Sequence, residues 1–310
     1  MIISASRRTD IPSYYSKWFF RRLSEGFVLV RNPMNIHQVS RVSLSPSVVD
    51  GIVFWTKNPS PMMSRLDLLK DYTYYFQFTL NPYGRNIEQN LPEKKEIMGT
   101  FKTLSEQIGK EKVIWRYDPI LLNDEWTISH HISAFEYMAK ELSPYTEKVV
   151  ISFLDFYQRT ERNTVSISLR KFSADDMDIL ARELSAIAYA YGLEMETCAE
   201  AIDLEKYGIK HSRCVDDRLL SRISGYALNV GKDKNQRLEC GCVSSIDIGE
   251  YNTCKNGCLY CYANYNPTNV ISNRKMHDWE SPLLIGTICS DDKITERKMK
   301  TLKDGQLSLF

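Results

Sequence analysis

Short runs of aliphatic, β-branched and aromatic residues recur along the chain, and each run closes on polar residues. They read "IISASRRTD", "FVLVRNP", "GIVFWTKNP", "YTYYFQFTLNP", "KVIWRYDP", "KVVISFLDFY", "LEMETCAE" and, more weakly, "SSIDIGEYN". Runs of this length and composition predict strands. Helical patterns separate several of them. In "SADDMDILARELSAIAYAYG", Met177, Leu180, Ala181, Leu184, Ile187, Ala188 and Tyr191 keep the i, i+3, i+4, i+7 rhythm of an amphipathic helix. Ser173 suits its N-cap, Asp175 and Asp176 suit its first turn, and Gly192 suits its end. "IPSYYSKWFFRRLSEG" and "TISHHISAFEYMAKEL" carry similar periods. No fixed-period repeat and no low-complexity linker interrupts the series.

Strands alternating with helices predict parallel βα units and an α/β fold. Eight strands would suit a (β/α)8 TIM-like barrel, and a six-strand partial barrel stays open. In such folds chemistry gathers where the strands end. That rim would collect Arg7, Arg8, Asp10, Arg31, Asn32, Lys57, Asn58, Asn81, Arg116, Asp118, Asp155, Glu200 and Asp247. Polar residues also follow strands simply as turn formers. Arg116, Asp118 and Asp155 close consecutive strands and suit a ribose, a substrate hydroxyl or a phosphate, or equally an ion network of the rim. Glu200 suits proton handling or hydrogen bonding. His130 and His131, in a helical pattern with Phe135 and Tyr137, read as surface or packing residues rather than ligands.

Composition changes the picture in one respect. Hydrophobic residues at 43%, charged residues at 25% and a net charge of +1 are ordinary for a globular protein, so no global field recruits nucleic acid or membrane. No apolar run approaches the roughly 18 residues of a membrane span, and the opening stretch lacks the pattern of a signal peptide. A cytoplasmic protein is expected. The chain nevertheless has eight cysteines, seven of them between Cys198 and Cys261. In a reducing compartment such crowding points to metal or redox chemistry rather than disulfides. Cys289 lies apart and reads as incidental.

Three of these cysteines, Cys254, Cys258 and Cys261, stand at C-x3-C-x2-C spacing with Tyr260 before the last. Three thiolates can hold three corners of a four-iron cluster and leave one iron open, whereas structural zinc wants a closed shell of four. The motif resembles the signature of radical S-adenosylmethionine enzymes, aromatic residue included. That resemblance implies a 4Fe-4S cluster, S-adenosylmethionine (SAM) chelated at the open iron, reductive release of a 5′-deoxyadenosyl radical and a reductant such as flavodoxin. More widely, "SASRRTDIP", "VFWTKNP", "RYDPIL", "CAEAIDL", "KDKNQRLECGCVSSIDIGEYNTC" and "GCLYCYAN" resemble domain-of-unknown-function family 1848. It is described by a radical-enzyme-like cysteine cluster near its C-terminus and brings no known substrate.

In ordinary radical enzymes the cluster loop follows the first strand; here it follows the last. A barrel sets its last strand beside its first, so a circular permutation would keep the loop in place in space. The neighbouring strand would then be the N-terminal one, which makes Ser4, Ser6, Arg7 and Asp10 candidates for holding SAM, with Tyr260 beside the cluster. Ser4 and Ser6 share one strand face. The competing reading is a turn that pairs locally.

Cys198, Cys214, Cys240 and Cys242 are enough for a second metal centre. An auxiliary iron–sulfur cluster is the first reading, a zinc site of four cysteines its rival, and free buried thiols the third. Residues 1–285 are expected to form the barrel-like domain, with 286–310 a flexible polar tail. The tail closes on Gln306-Leu307-Ser308-Leu309-Phe310, which resembles the peptide that docks bacterial DNA enzymes on the sliding clamp. Together these features point to a radical enzyme acting on DNA or a nucleotide-derived substrate, distantly like spore photoproduct lyase. The alternatives are radical modification of a small metabolite or peptide, and a metal-binding, clamp-docked scaffold without turnover.

Overall fold

The computed structural model describes residues 1–156 and 158–304. Its strands, in chain order, are β1 (Ile2–Ala5), β2 (Phe27–Asn32), β3 (Asn35–Ser43), β4 (Gly51–Thr56), β5 (Tyr74–Thr79), β6 (Val113–Ile120), β7 (Lys148–Phe153), β8 (Glu194–Thr197), β9 (Lys210–His211), β10 (Ile246–Asp247) and β11 (Lys293–Glu296). Eight of them form one sheet in the order β10-β1-β4-β5-β6-β7-β8-β9, and every neighbouring pair is parallel. The expected α/β fold is present. The last strand of this sheet lies beside the first, with Ile3 opposite Ile246 and Ser4 opposite Asp247. No ladder joins β9 to β10 among the described residues.

The period-two alternation of each strand sorts the side chains onto two faces. One face packs Ile3, Ile52, Phe54, Phe76, Phe78, Trp115 and Ile151 against the helices Ser16–Glu25, Lys94–Ile108, Ile128–Leu142 and Ala174–Ala190. This is the main core. The opposite face carries Ile2, Val53, Tyr75, Ile114 and Val150, covered by Val215, Leu219, Leu220 and the thiols of Cys214, Cys240 and Cys242. Toward the strand ends this second face turns polar, through Ser4, Gln77, Arg116 and Cys198. So one face makes the core and the other ends in polar and thiol side chains.

The helix expected at 173–192 spans Ala174–Ala190. Ser173 caps it, and Asp176 closes a reciprocal capping box. The pattern at 11–26 divides into Ile11–Tyr14 and Ser16–Glu25, because Asp10 caps a first short turn. His131 is packed as expected: its Nδ1 meets the Tyr117 hydroxyl at 2.7 Å and its Nε2 meets the Leu121 carbonyl at 2.7 Å. Burial lowers its pKa to about 4, so the ring stays neutral.

Two expectations are corrected. "FVLVRNP" leaves the main sheet: as β2 it pairs antiparallel with β3, while β11 pairs parallel with β3. Arg31, expected on the rim, instead pairs with Asp292 through two contacts of 2.6 and 2.8 Å. The eighth place in the main sheet goes to the two-residue β9. Within the expected tail, Lys293–Glu296 is a strand, and the Leu302 carbonyl accepts from the Asn229 amide at 2.8 Å. The ladder to β3 and these loop contacts give the segment backbone partners that a polar composition does not reveal. Gln306–Phe310 lies outside the described residues.

Candidate functional site

A cavity of about 1010 Å³ opens at the C-terminal ends of the parallel strands, and all seven clustered cysteines line it. Ser6, Arg7, Asp10, Arg116, Asp118, Asp155 and Tyr260 line it too. Sequence distances of up to roughly 250 residues thus collapse into one chamber, as a parallel sheet with function at its rim requires.

The three-cysteine loop is fastened through its backbone and its asparagines. The Tyr15 hydroxyl donates to the Thr253 carbonyl at 2.7 Å, and the Tyr14 hydroxyl donates to Asn256 Oδ1 at 2.6 Å. Asn256 Nδ2 in turn donates to Asp10 Oδ2 at 3.2 Å. On the other side, Asn90 donates from its amide to the Asn256 carbonyl at 3.1 Å and from Nδ2 to the Lys255 carbonyl at 2.8 Å. The loop presses so closely on this segment that a Cβ on Gly257 would lie 2.7 Å from Asn90 Nδ2, and its φ of +66° suits glycine besides. The thiols themselves take hydrogen bonds from their own loop, Cys254 from the Asn256 backbone, Cys258 from the Tyr260 side chain and Cys261 from the Asn264 and Ala263 backbone. Burial raises all three, Cys258 to about 12, with the Lys57 ammonium opposing that rise at Cys258 and Cys261.

Beneath this loop lies a buried charge cluster that sequence reasoning missed. Glu88, 1% exposed, pairs with Lys57 Nζ at 2.7 Å and with Lys94, and accepts from the Tyr260 hydroxyl. Burial would push its carboxyl up, but the two lysines prevail and hold it below the ordinary value. Tyr260 also accepts from Asn81 Nδ2 at 3.2 Å, so the aromatic residue of the motif is pinned to the rims of β4 and β5. Lys57 and Asn81 were expected on the rim; Glu88 follows no strand and had no local signal.

The four remaining cysteines converge. Cys198 and Cys214 stand 3.1 Å apart at sulfur, Cys214 interacts thiol to thiol with Cys242, and Cys242 with Cys240. Arg116 Nη1 donates to Cys214 Sγ at 2.9 Å and the Val215 amide to Cys242 Sγ at 3.4 Å. The Tyr75 hydroxyl and Gln77 Nε2 both donate to the Cys214 carbonyl, at 2.6 and 2.9 Å, and hold that thiol over the inner face of the sheet. The hydrogen bond from Cys242 draws Cys240 down to about 7.

Ser4, Ser6 and Arg7 take engagements other than those expected. The hydroxyls of Ser4 and Ser6 donate to the two oxygens of Asp247 at 2.7 and 2.6 Å, and the Arg7 amide adds a third donor at 2.9 Å. Gly249 passes so near that a Cβ there would lie 2.1 Å from Ser6 Oγ. Asp247 therefore knits β10 to β1 and consumes both serines. The Arg7 guanidinium turns toward the four-cysteine set, 3.4 Å from Ser245 Oγ and near Cys242 and Cys214. Asp10, fully buried, accepts from the Thr56 hydroxyl and the Lys57 amide at 2.8 Å each, besides Asn256. It joins the cluster loop to β4.

Arg116 and Asp118 form one unit, with Arg116 Nε 2.9 Å from Asp118 Oδ2 and Ser152 donating to the other oxygen. Asp155 pairs with Arg237 at 2.7 Å. Glu200 accepts from the Phe153 amide at 2.8 Å, and burial raises it to about 7. The rim thus combines an ion network with groups that face the chamber.

Two features bear on what the chamber can hold. Thr9 Oγ1 is buried at its wall without a hydrogen-bond partner among the described residues. A polar ligand would satisfy it. Seven thiols in one chamber match soft metals or iron–sulfur clusters far better than any carboxylate set would. Among the described residues, no group of three or more His, Cys, Asp or Glu side chains already stands in coordination geometry. Within the four-cysteine set the thiols stand as mutual hydrogen-bonding partners. None of the described helices is long and apolar enough to cross a membrane.

No curated protein matches the chain. Among solved structures, one from Bacteroides thetaiotaomicron VPI-5482 named as an alpha-L-fucosidase aligns at 13% identity and a TM-score of 0.25, covering 51% of this chain and 66% of that one. A likeness at that level carries no argument about fold or activity. The family model described as a domain of unknown function (DUF1848) matches residues 2–263. That range takes in every strand of the eight-stranded sheet and all seven chamber cysteines, and over it the chain belongs to the DUF1848 family.

Proposed function

We propose that this protein is a radical SAM enzyme whose cluster is held by Cys254, Cys258 and Cys261. The observation that supports the reading is the placement of these three thiols, on a loop fixed by its backbone, at the wall of a large chamber beside β1. Three ligands leave one corner of a cubane free for a chelating ligand. When bound, such a cluster supplies one electron to SAM and releases a 5′-deoxyadenosyl radical. The eight-stranded sheet is read as a barrel with its seam between β9 and β10, circularly permuted relative to ordinary radical enzymes.

The chain's own residues have definable tasks in this reading. Asn256, Tyr14 and Asn90 hold the loop so that its thiols keep their relative positions. Lys57 offsets the negative charge that three thiolates bring into a buried place. With Ser4 and Ser6 bound to Asp247, the methionyl end of SAM would be met by Arg8 and Thr9, both at the chamber wall. Arg8 suits a carboxylate, and the unpartnered Thr9 hydroxyl suits an ammonium group as acceptor. The chamber walls would then exclude water around the reacting centre.

The substrate class proposed is DNA or a nucleotide-derived molecule. Arg7, Arg8, Arg237, Tyr251, Tyr262 and Tyr265 at the chamber supply cations and aromatic faces for phosphates and bases. The clamp-like peptide Gln306–Phe310 supports the same class. The test is anaerobic reconstitution with iron and sulfide, reduction, and chromatography for 5′-deoxyadenosine, with and without damaged or undamaged oligonucleotides. Formation of 5′-deoxyadenosine with loss of oligonucleotide mass is expected. Fully iron-loaded, reduced protein that makes none would defeat the reading.

A further inference from the structure

We infer that Cys198, Cys214, Cys240 and Cys242 form a second, mononuclear metal site that clasps the open seam of the sheet, with zinc(II) as the fitting ion. The inference does not rest on the radical chemistry proposed above.

The first argument is placement. Cys198 follows β8 and Cys214 follows β9, on one side of the seam; Cys240 and Cys242 precede β10, on the other. Among the described residues the seam has no strand ladder, yet two hydrogen bonds cross it beside these thiols: the Val243 amide to the Val215 carbonyl at 3.1 Å and the Val215 amide to Cys242 Sγ at 3.4 Å. A metal bound by all four would replace the missing ladder with covalent-strength links between the edge strands.

Nuclearity follows from spacing. Four sulfurs on one zinc, each at about 2.3 Å, lie roughly 3.8 Å from one another. A cubane sets its cysteines much further apart, because each sulfur binds a different iron. Here Cys198 and Cys214 stand 3.1 Å apart at sulfur, and Cys242 lies within hydrogen-bonding range of both Cys214 and Cys240. Spacing this short suits four ligands of one ion better than ligands spread over four irons. The set is therefore unlike the three-cysteine loop, although the sequence suggested iron–sulfur for both.

Charge points the same way. Four thiolates and one zinc(II) leave a net charge of −2 in a buried place, which needs compensation. Arg116 already donates to Cys214 Sγ at 2.9 Å, and the Arg7 guanidinium lies near Cys242 and Cys214. Backbone N–H donation to Cys242 Sγ adds the kind of outer contact that orients metal ligands.

The test uses the full chain with Cys254, Cys258 and Cys261 all changed to serine, so that iron cannot occupy the first site. Zinc(II) is titrated into the reduced, metal-free variant against a chromophoric chelator, and cobalt(II) serves as the spectroscopic probe. One ion per chain is expected, with a thiolate-to-cobalt charge-transfer band. A further Cys214→Ser change should weaken zinc at least a hundredfold. Zinc should also slow amide exchange in β9 and β10. Because the metal-free protein can unfold, the wild-type chain is measured in parallel by zinc-edge X-ray absorption, where four sulfurs at about 2.3 Å are expected. Substoichiometric zinc in the wild type, or binding indifferent to Cys214→Ser, would overturn the site. Four irons and four sulfides per chain in the triple variant would overturn its mononuclear character.

Discussion

The two cysteine groups share one chamber and differ in how they are held. Around Cys254, Cys258 and Cys261, hydrogen bonds from other elements grip the backbone and the asparagines, and the sulfurs take theirs from the loop itself, from the Asn256, Ala263 and Asn264 backbone and the Tyr260 side chain, rather than from one another. Around Cys198, Cys214, Cys240 and Cys242, the sulfurs grip one another and take donors from Arg116 and Val215. A frame that holds its ligands from behind suits a centre with an open position. Ligands that already touch suit a closed one. Thiol count alone would not separate the two; the destination of the surrounding hydrogen bonds does.

This contrast can be broken in order of expected effect. Cys258→Ala should lower 5′-deoxyadenosine formation to background, a loss beyond a hundredfold, while zinc content and the cooperative melt persist. Loss of zinc in that variant would show that the groups are not independent. Glu88→Ala should cost about 2–4 kcal/mol of stability in denaturant melts, since it removes the one carboxylate that two part-buried lysines share beneath the loop. An unchanged midpoint would mean that the loop is not supported from below.

Glu250→Gln probes the loop's approach. Burial raises the Glu250 carboxyl to about 7, with Arg31 and Arg8 opposing the rise. The folded state therefore holds its proton more tightly than the unfolded chain, whose carboxyl titrates near the ordinary 4.5. Stability contributed by the protonated form is present at low pH and is lost as pH climbs from about 4.5 through about 7, by roughly 1–3 kcal/mol. Glutamine should remove that slope, so melts at pH 5 and pH 8 should differ less in the variant than in the wild type. Asn256→Ala should cost about 1–2 kcal/mol by leaving the Tyr14 hydroxyl and Asp10 each short of a partner. It should also lower iron retention while leaving zinc untouched; equal loss of both metals would dissolve the comparison.

Much of this was legible in the chain because periodicity and spacing are local. Alternating apolar runs marked seven of the eight sheet strands, and the cysteine spacing marked the loop. β2 reads as a main-sheet strand because "FVLVRN" alternates like any rim strand, while its partner β3 exposes most of its first half and reads as polar. β9 and β11 escaped because two exposed residues and four exposed residues carry no apolar period. Ser4 and Ser6 do share a face, as the period-two rule requires, but Asp247 on the adjacent strand claims both. Glu88, Asn256 and Tyr14 were invisible for a related reason. A buried polar residue is defined by partners far away in sequence, and nothing beside it announces them.

The pairing of β1 with β10 also bears on the order of assembly. Ser4 and Asp247 are separated by 243 residues, so one edge of β1 waits for almost the whole chain to leave the ribosome. β4 through β8 can stack beforehand, since each pairs with a strand made shortly before it. The chamber's floor would exist before its cysteine-bearing wall arrives, and the thiols of Cys240 to Cys261 would meet an already shaped surface. Closing the β1–β10 edge then becomes the last event of folding, and a chain cut short before Asp247 would keep its floor yet stay unlatched.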